Sequence, residues 1–118
     1  MDSYQIGLSG EATAEAFLRR LGYLVLHRNF RSRYGEIDLV ARDPLGKLIA
    51  VEVKTRQSTG FGYPEDAVGP GKQQRLISTA AKLLDILYPT EDIRFDVVSI
   101  VKTGKTTCIM HFIDAFRP

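Results

Sequence analysis

Three acids and a lysine are set into otherwise apolar strand patterns between Gly35 and Arg56, where Gly35-Glu36-Ile37-Asp38-Leu39 leads through a short turn to Val51-Glu52-Val53-Lys54-Thr55-Arg56. Buried or half-buried charges must be paired or must hold a metal, so this pattern lowers stability unless it serves chemistry. The turn between the strands is Asp43-Pro44-Leu45-Gly46-Lys47. Proline fixes φ where a type I turn needs it, and glycine closes the loop in the left-handed region. A loop of Pro44, Leu45 and Gly46 makes Asp43 face Lys47. Counting back along an antiparallel pair then puts Asp38 opposite Glu52 and Glu36 opposite Lys54. Side chains alternate along a strand, so Glu52 and Lys54 share one face and Ile49, Val51 and Val53 the other.

Directly opposed like charges weaken a ladder by roughly 0.2–1 kcal/mol, so Asp38 facing Glu52 calls for something positive between them. A divalent cation is the natural candidate. Mg²⁺ prefers oxygen ligands and is usually held by one or two carboxylates with waters and substrate phosphate. Lys54 is placed to hold an attacking water or to stabilise charge developing on phosphorus. The plainer alternative is a solvated face of an amphipathic hairpin, with Lys54 bridging the acids.

At 118 residues the chain is expected to form a single domain, residues 1–118, with one core. Hydrophobic residues at 44% and charged residues at 25% exclude a disordered chain. No apolar run approaches the roughly 18 residues of a membrane span, and Met1 to Gln5 has no basic region leading into an apolar stretch, so neither membrane insertion nor secretion is expected. Cys108 is the only cysteine, which rules out an internal disulfide and favours the cytoplasm. Its setting, Thr107-Cys108-Ile109-Met110, predicts a buried strand position.

A net charge of +2 says little about partners, but its distribution says more. His27-Arg28-Asn29-Phe30-Arg31-Ser32-Arg33-Tyr34 carries three arginines and no acid. Such a strip suits phosphate contacts from Arg28, Arg31 and Arg33, with stacking from Phe30 or Tyr34. Arg56, just past Lys54, joins this candidate nucleic-acid-binding set. The alternative is an exposed loop with solvated arginines and Phe30 packed inward.

The periodicities predict a helix from about Gly10 to Leu21, with Ser9 as N-cap and Gly22 as stop. Strands follow at Tyr23–Leu26, Ile37–Ala41 and Leu48–Lys54. A second helix runs from about Gly71 to Tyr88, and two strands close the chain at Arg94–Val101 and Thr106–Phe112. Glu11 and Glu15 share one face of the first helix. From Gln57 to Gly71 a glycine- and proline-rich loop has the length of a substrate-contacting flap, in which Phe61 and Tyr63 either stack on bases or pin the loop to the domain. Lys72, Gln73, Gln74 and Arg75 have the character of an ordinary solvated helix start. Asp96 is expected to be structural, pairing Arg94 or a neighbouring strand. His27 and His111 lack partners at zinc-ligand spacing.

Several blocks together resemble the YraN family of small bacterial proteins. They are Gly7-Leu8-Ser9-Gly10-Glu11-Ala12, Phe17-Leu18, Gly22-Tyr23, Gly35 to Ala41, Val51 to Arg56, Arg94 to Val98 and the closing His111 to Phe116. That family is similar to the restriction-endonuclease-like superfamily, especially the archaeal Holliday junction resolvases. The resemblance implies an α/β fold with a mixed β-sheet flanked by helices in the order αβββαββ. It also implies a metal-dependent phosphodiesterase site using Mg²⁺ or Mn²⁺. Asp38 and Glu52 would be metal ligands, the Val53 carbonyl would complete the shell, Lys54 would be the catalytic lysine, and Glu11 the acid contributed by the first helix. The leading expectation is an endonuclease acting on structured or branched DNA rather than RNA, as a homodimer in the cytoplasm. The alternatives are a catalytically silent nucleic-acid-binding module with the same fold and a protein-interaction subunit of a larger complex.

Overall fold

In the computed structural model, which describes residues 3–57 and 68–118 with side chains from residue 10 onward, the central hairpin closes as its turn residues dictate. The Asp43 N–H donates to the Lys47 carbonyl and the Gly46 N–H to the Asp43 carbonyl, both at 2.9 Å. Gly46 takes a φ of 90°, which a side chain would resist. Asp43 Oδ1 accepts from the N–H groups of Leu45 and Lys47. The loop thereby fixes β2 (Gly35–Arg42) against β3 (Leu48–Gln57), with Arg42 paired to Leu48 and Leu39 to Val51. This is the register expected from the turn.

Around the hairpin, β1 (Leu24–Ser32) lies antiparallel to β2, β4 (Ile93–Thr103) parallel to β3, and β5 (Thr106–Phe116) antiparallel to β4. The result is a mixed five-stranded sheet in the order β1-β2-β3-β4-β5. A parallel pair requires a crossover, and α2 (Pro70–Leu87) lies on it, while α1 (Ser3–Arg20) precedes β1. The element order is the expected αβββαββ. One sheet face packs Leu39, Ile49, Val51, Val98 and Ile100 against Ala14 and Leu18 of α1. The other packs Ile37, Val40, Leu48, Ala50 and Val97 against Leu76, Ala80 and Leu83 of α2. Burial on both faces explains the unbroken apolar run from Leu48 to Val51.

Several expectations need correction. Helix α1 begins at Ser3, so Ser9 lies inside it and is not its N-cap. Gly22 does end the helix, with φ 89° and the Tyr23 N–H returning to the Leu18 carbonyl. The basic strip from His27 to Ser32 is strand and not loop, because β1 extends well past Leu26 to pair with β2. A bulge between Val25 and His27 and the left-handed Asn29, φ 55°, break the alternation that would have marked it. Phe30 packs inward nonetheless. Cys108 is exposed, since β5 is an edge strand with no helix over that position among the described residues. The loop residues Phe61 and Tyr63 lie outside the described residues. No helix of the described residues is long and apolar enough to cross a membrane.

Candidate metal and phosphodiester site

The β2–β3 ladder stops at Leu39 and Val51, one residue short of the acidic pair. Beyond it Asp38 Oδ2 accepts the Val53 N–H at 2.8 Å, so the side chain supplies an acceptor where strand pairing has ended. This bond brings the Asp38 carboxyl within reach of Glu52. Glu52 is only 4% exposed, which overturns the alternative of a solvated hairpin face. Burial, and then the neighbouring Glu52 carboxyl, push Asp38 up to about 8, against smaller lowering by the Val53 N–H and Lys72.

Two ammonium groups stand beside the acids. Lys54 lies near Glu52 and Asp38, and its pKa is lowered first by burial and then by the adjacent Lys72. Lys72 Nζ, from the first turn of α2, is 3.1 Å from Glu52 Oε2. That oxygen is buried and, despite the short approach, has no partner of hydrogen-bonding geometry. Lys72 is the site residue that sequence reasoning missed. A lysine at a helix start looks solvated until the packing of α2 across the sheet is known.

On the α1 side Glu11 faces the pair. Burial raises its carboxyl, and the charges of Asp38 and Glu36 add to the effect. The approach depends on Gly10, where a Cβ would overlap Thr55 Oγ1 of β3. Asn29 sits between the acids. In the orientation that satisfies both, its amide nitrogen donates to Glu36 Oε1 at 2.6 Å and to Glu11 Oε1 at 2.8 Å. Its left-handed backbone, tolerated by asparagine better than by most residues, aims the amide there. Glu36 also pairs with Arg31 at 3.2 Å, so its ion pair is on β1 and not with the Lys54 expected opposite it.

The structure thus groups Asp38, Glu52, Lys54 and Glu11, with Val53 bound through its N–H. It separates the candidate phosphate contacts. Arg28 is held by Glu15, with Nε 2.6 Å from Oε1, and Arg33 bonds the Tyr34 hydroxyl at 2.7 Å with its guanidinium 4.9 Å from the ring centroid. Arg56 is on β3 past Lys54. On the α1 face of the sheet, Asp96 accepts from Arg94 Nε and Nη2 along one guanidinium edge, each at 2.8 Å, and meets His111 Nε2 at 2.8 Å, so its role is structural. His27 instead meets the Tyr88 hydroxyl at 2.7 Å.

The ligand atoms that Asp38 and Glu52 offer are carboxylate oxygens, which suit a hard divalent cation. The unsatisfied Glu52 oxygen and the raised Asp38 carboxyl fit such an ion. Among the described residues no three histidine, cysteine or acidic side chains gather closely enough to bind a metal unaided.

Residues 10–100 match the model of the uncharacterised protein family UPF0102, and the chain belongs to that family, also called YraN. A UPF0102 protein of Persephonella marina is 43% identical over 117 residues, covering 98% of this chain and 97% of the relative. One from Syntrophomonas wolfei is 45% identical over 115 residues, covering 95% and 97%. Among solved structures, a repair endonuclease from Pyrococcus abyssi superposes on 82% of the chain with a TM-score of 0.45 and 14% identity. The chain spans 38% of that structure's length.

Proposed function

We propose that this protein is a metal-dependent endonuclease that hydrolyses phosphodiester bonds in structured or branched DNA, with Mg²⁺ or Mn²⁺ held by Asp38, Glu52 and the Val53 carbonyl. The observation that carries this reading is the carboxyl pair of half-buried Asp38 and buried Glu52, flanked by Lys54. When bound, the cation supplies Lewis-acid stabilisation of charge on the phosphate. The remaining work falls to side chains. Lys54 orients the attacking water, Glu11 extends the acidic site from α1, and Asn29 holds Glu11 against Glu36. A symmetric junction offers two equivalent scissile bonds, which a homodimer would address. The cytoplasm, where DNA is the available substrate, is the proposed location.

The test is cleavage of labelled single strand, duplex, flap and four-way junction in Mn²⁺ against EDTA. Asp38→Ala, Glu52→Ala and Lys54→Ala should each abolish cutting while circular dichroism stays native. A variant that cuts at the wild-type rate removes its residue from the site. Lys72 gives a second reading its footing, because an ammonium on Glu52 also suits a module that binds nucleic acid without cutting it. Sequence-independent binding with no metal-dependent product on any substrate would select that reading.

A further inference from the structure

Charge divides by side around the carboxyl pair. Toward α1 stand Glu11, Glu15 and Glu36, and the arginines of β1 that reach them are spent on them, Arg28 on Glu15 and Arg31 on Glu36. Toward α2 stand Lys54 and Lys72. Helix α2 carries only one acid, Asp85, in its last turn. Arg75 and Lys82, both exposed, are seven residues apart and so lie on one flank, two turns from each other.

The turn between β1 and β2 docks on that flank. Ser32 Oγ is 3.0 Å from Thr79 Oγ1, and Gly35 packs so closely that a Cβ there would stand 3.6 Å from the Arg75 side chain and 3.7 Å from Thr79. The docking carries Arg33 to the same side, bound only to a neutral hydroxyl among the described residues. Arg75 reaches back to the helix start, its Nη1 3.6 Å from where a Gly71 Cβ would be. Neither Arg75 nor Lys82 has an acidic partner among the described residues.

We infer that the α2 flank bearing Lys72, Arg75 and Lys82, with Arg33 on the adjoining turn, is the track along which a nucleic-acid phosphate backbone reaches the Asp38–Glu52 pair. The inference rests on the nuclease reading and gives its substrate a direction. Acids on the α1 side repel phosphate, so the backbone is steered to the cationic side. From Lys72 to Lys82 the helix rises about 15 Å, which matches about four phosphate steps along one duplex strand. Arg28 and Arg31, already neutralised, contribute little to the track.

The experiment measures fluorescence anisotropy of a labelled DNA duplex, and of one of its single strands, over a salt titration in EDTA. The slope of log K against log salt should shrink by about one for each phosphate contact removed. The Arg75→Gln/Lys82→Gln protein should therefore lose about two, and Arg28→Gln should keep the wild-type slope. Circular dichroism checks that both variants fold. An unaltered slope in the double variant, an equal loss in Arg28→Gln, or no wild-type binding to either probe at low salt overturns the track. Failure of the nuclease reading looks different: the slope shifts as expected, but wild-type protein yields no metal-dependent cleavage.

Discussion

Asp38 and Val53 are joined by a side-chain to main-chain hydrogen bond of 2.8 Å just past the last paired residues of β2 and β3. The bond ends the ladder without leaving the Val53 N–H unpaired, and it turns one carboxylate of the proposed metal site into part of the sheet. Asp38 is therefore both structural and chemical, and its variants should separate the two roles.

Burial and Glu52 raise the Asp38 carboxyl to about 8. A folded-state value above the unfolded one means that the native protein binds the proton more tightly, so Asp38 contributes stability at low pH that is lost as pH climbs from about 4 toward 8. In EDTA, urea midpoints of the wild type should fall across that window. Asp38→Asn keeps an acceptor for Val53 and should flatten the profile. Parallel wild-type and variant profiles would show that Asp38 is not the group responsible.

Lys72 and a divalent cation compete for the same charge on Glu52. Lys72→Gln should tighten Mn²⁺ binding several-fold by calorimetry and, in EDTA, destabilise the fold by about 1–3 kcal/mol, because the buried Glu52 carboxylate loses its ammonium partner. Weaker Mn²⁺ binding in the variant would contradict the competition.

The register of the central hairpin was legible because Pro44 and Gly46 leave few ways to close the loop, and the position of Asp38 relative to Glu52 follows from it. Other features depend on contacts remote in sequence. Lys72 meets Glu52 only because α2 lies across β2, and Asn29 reaches Glu11 only because α1 packs beside β1. The extent of β1 was obscured by its own irregularity, since a bulge and a left-handed residue spoil the two-residue period that signals a strand. The exposure of Cys108 is not legible in sequence, because an apolar neighbour such as Ile109 marks a strand without saying whether the strand is central or at an edge.

Gly10 sets how near α1 comes to β3. Gly10→Ala should destabilise the protein by about 1–3 kcal/mol through overpacking against Thr55. Thr55→Ala in the same chain should recover part of the loss by removing Oγ1, as read from thermal midpoints. No recovery would place the clash elsewhere.

Asp96 has a fully buried side chain that receives Arg94, His111 and the Asp114 N–H. Despite burial, these partners hold its pKa below the ordinary carboxylate value. The stability it provides is present above that ordinary value and is lost as pH falls through the lower folded one. Asp96→Ala takes the main partner from the half-buried Arg94 guanidinium and from His111, and should cost about 3 kcal/mol in urea denaturation. A loss below about 1 kcal/mol would mean that Asp43, which already accepts from Arg94 Nη1 at 3.2 Å, is enough to hold the guanidinium.

The parallel pairing of β3 with β4 imposes an order of assembly. The hairpin that joins Asp38 to Glu52 closes through a tight turn, whereas Glu52 meets Val97 only after the chain has passed through α2 and come back. Loop-closure entropy makes the local step fast and the crossover slow. The acidic pair is thus brought together while β3 still has a bare edge, and its carboxylates leave water only when the crossover closes. For the nascent chain, the slow event in folding is also the one that seals the charges inside.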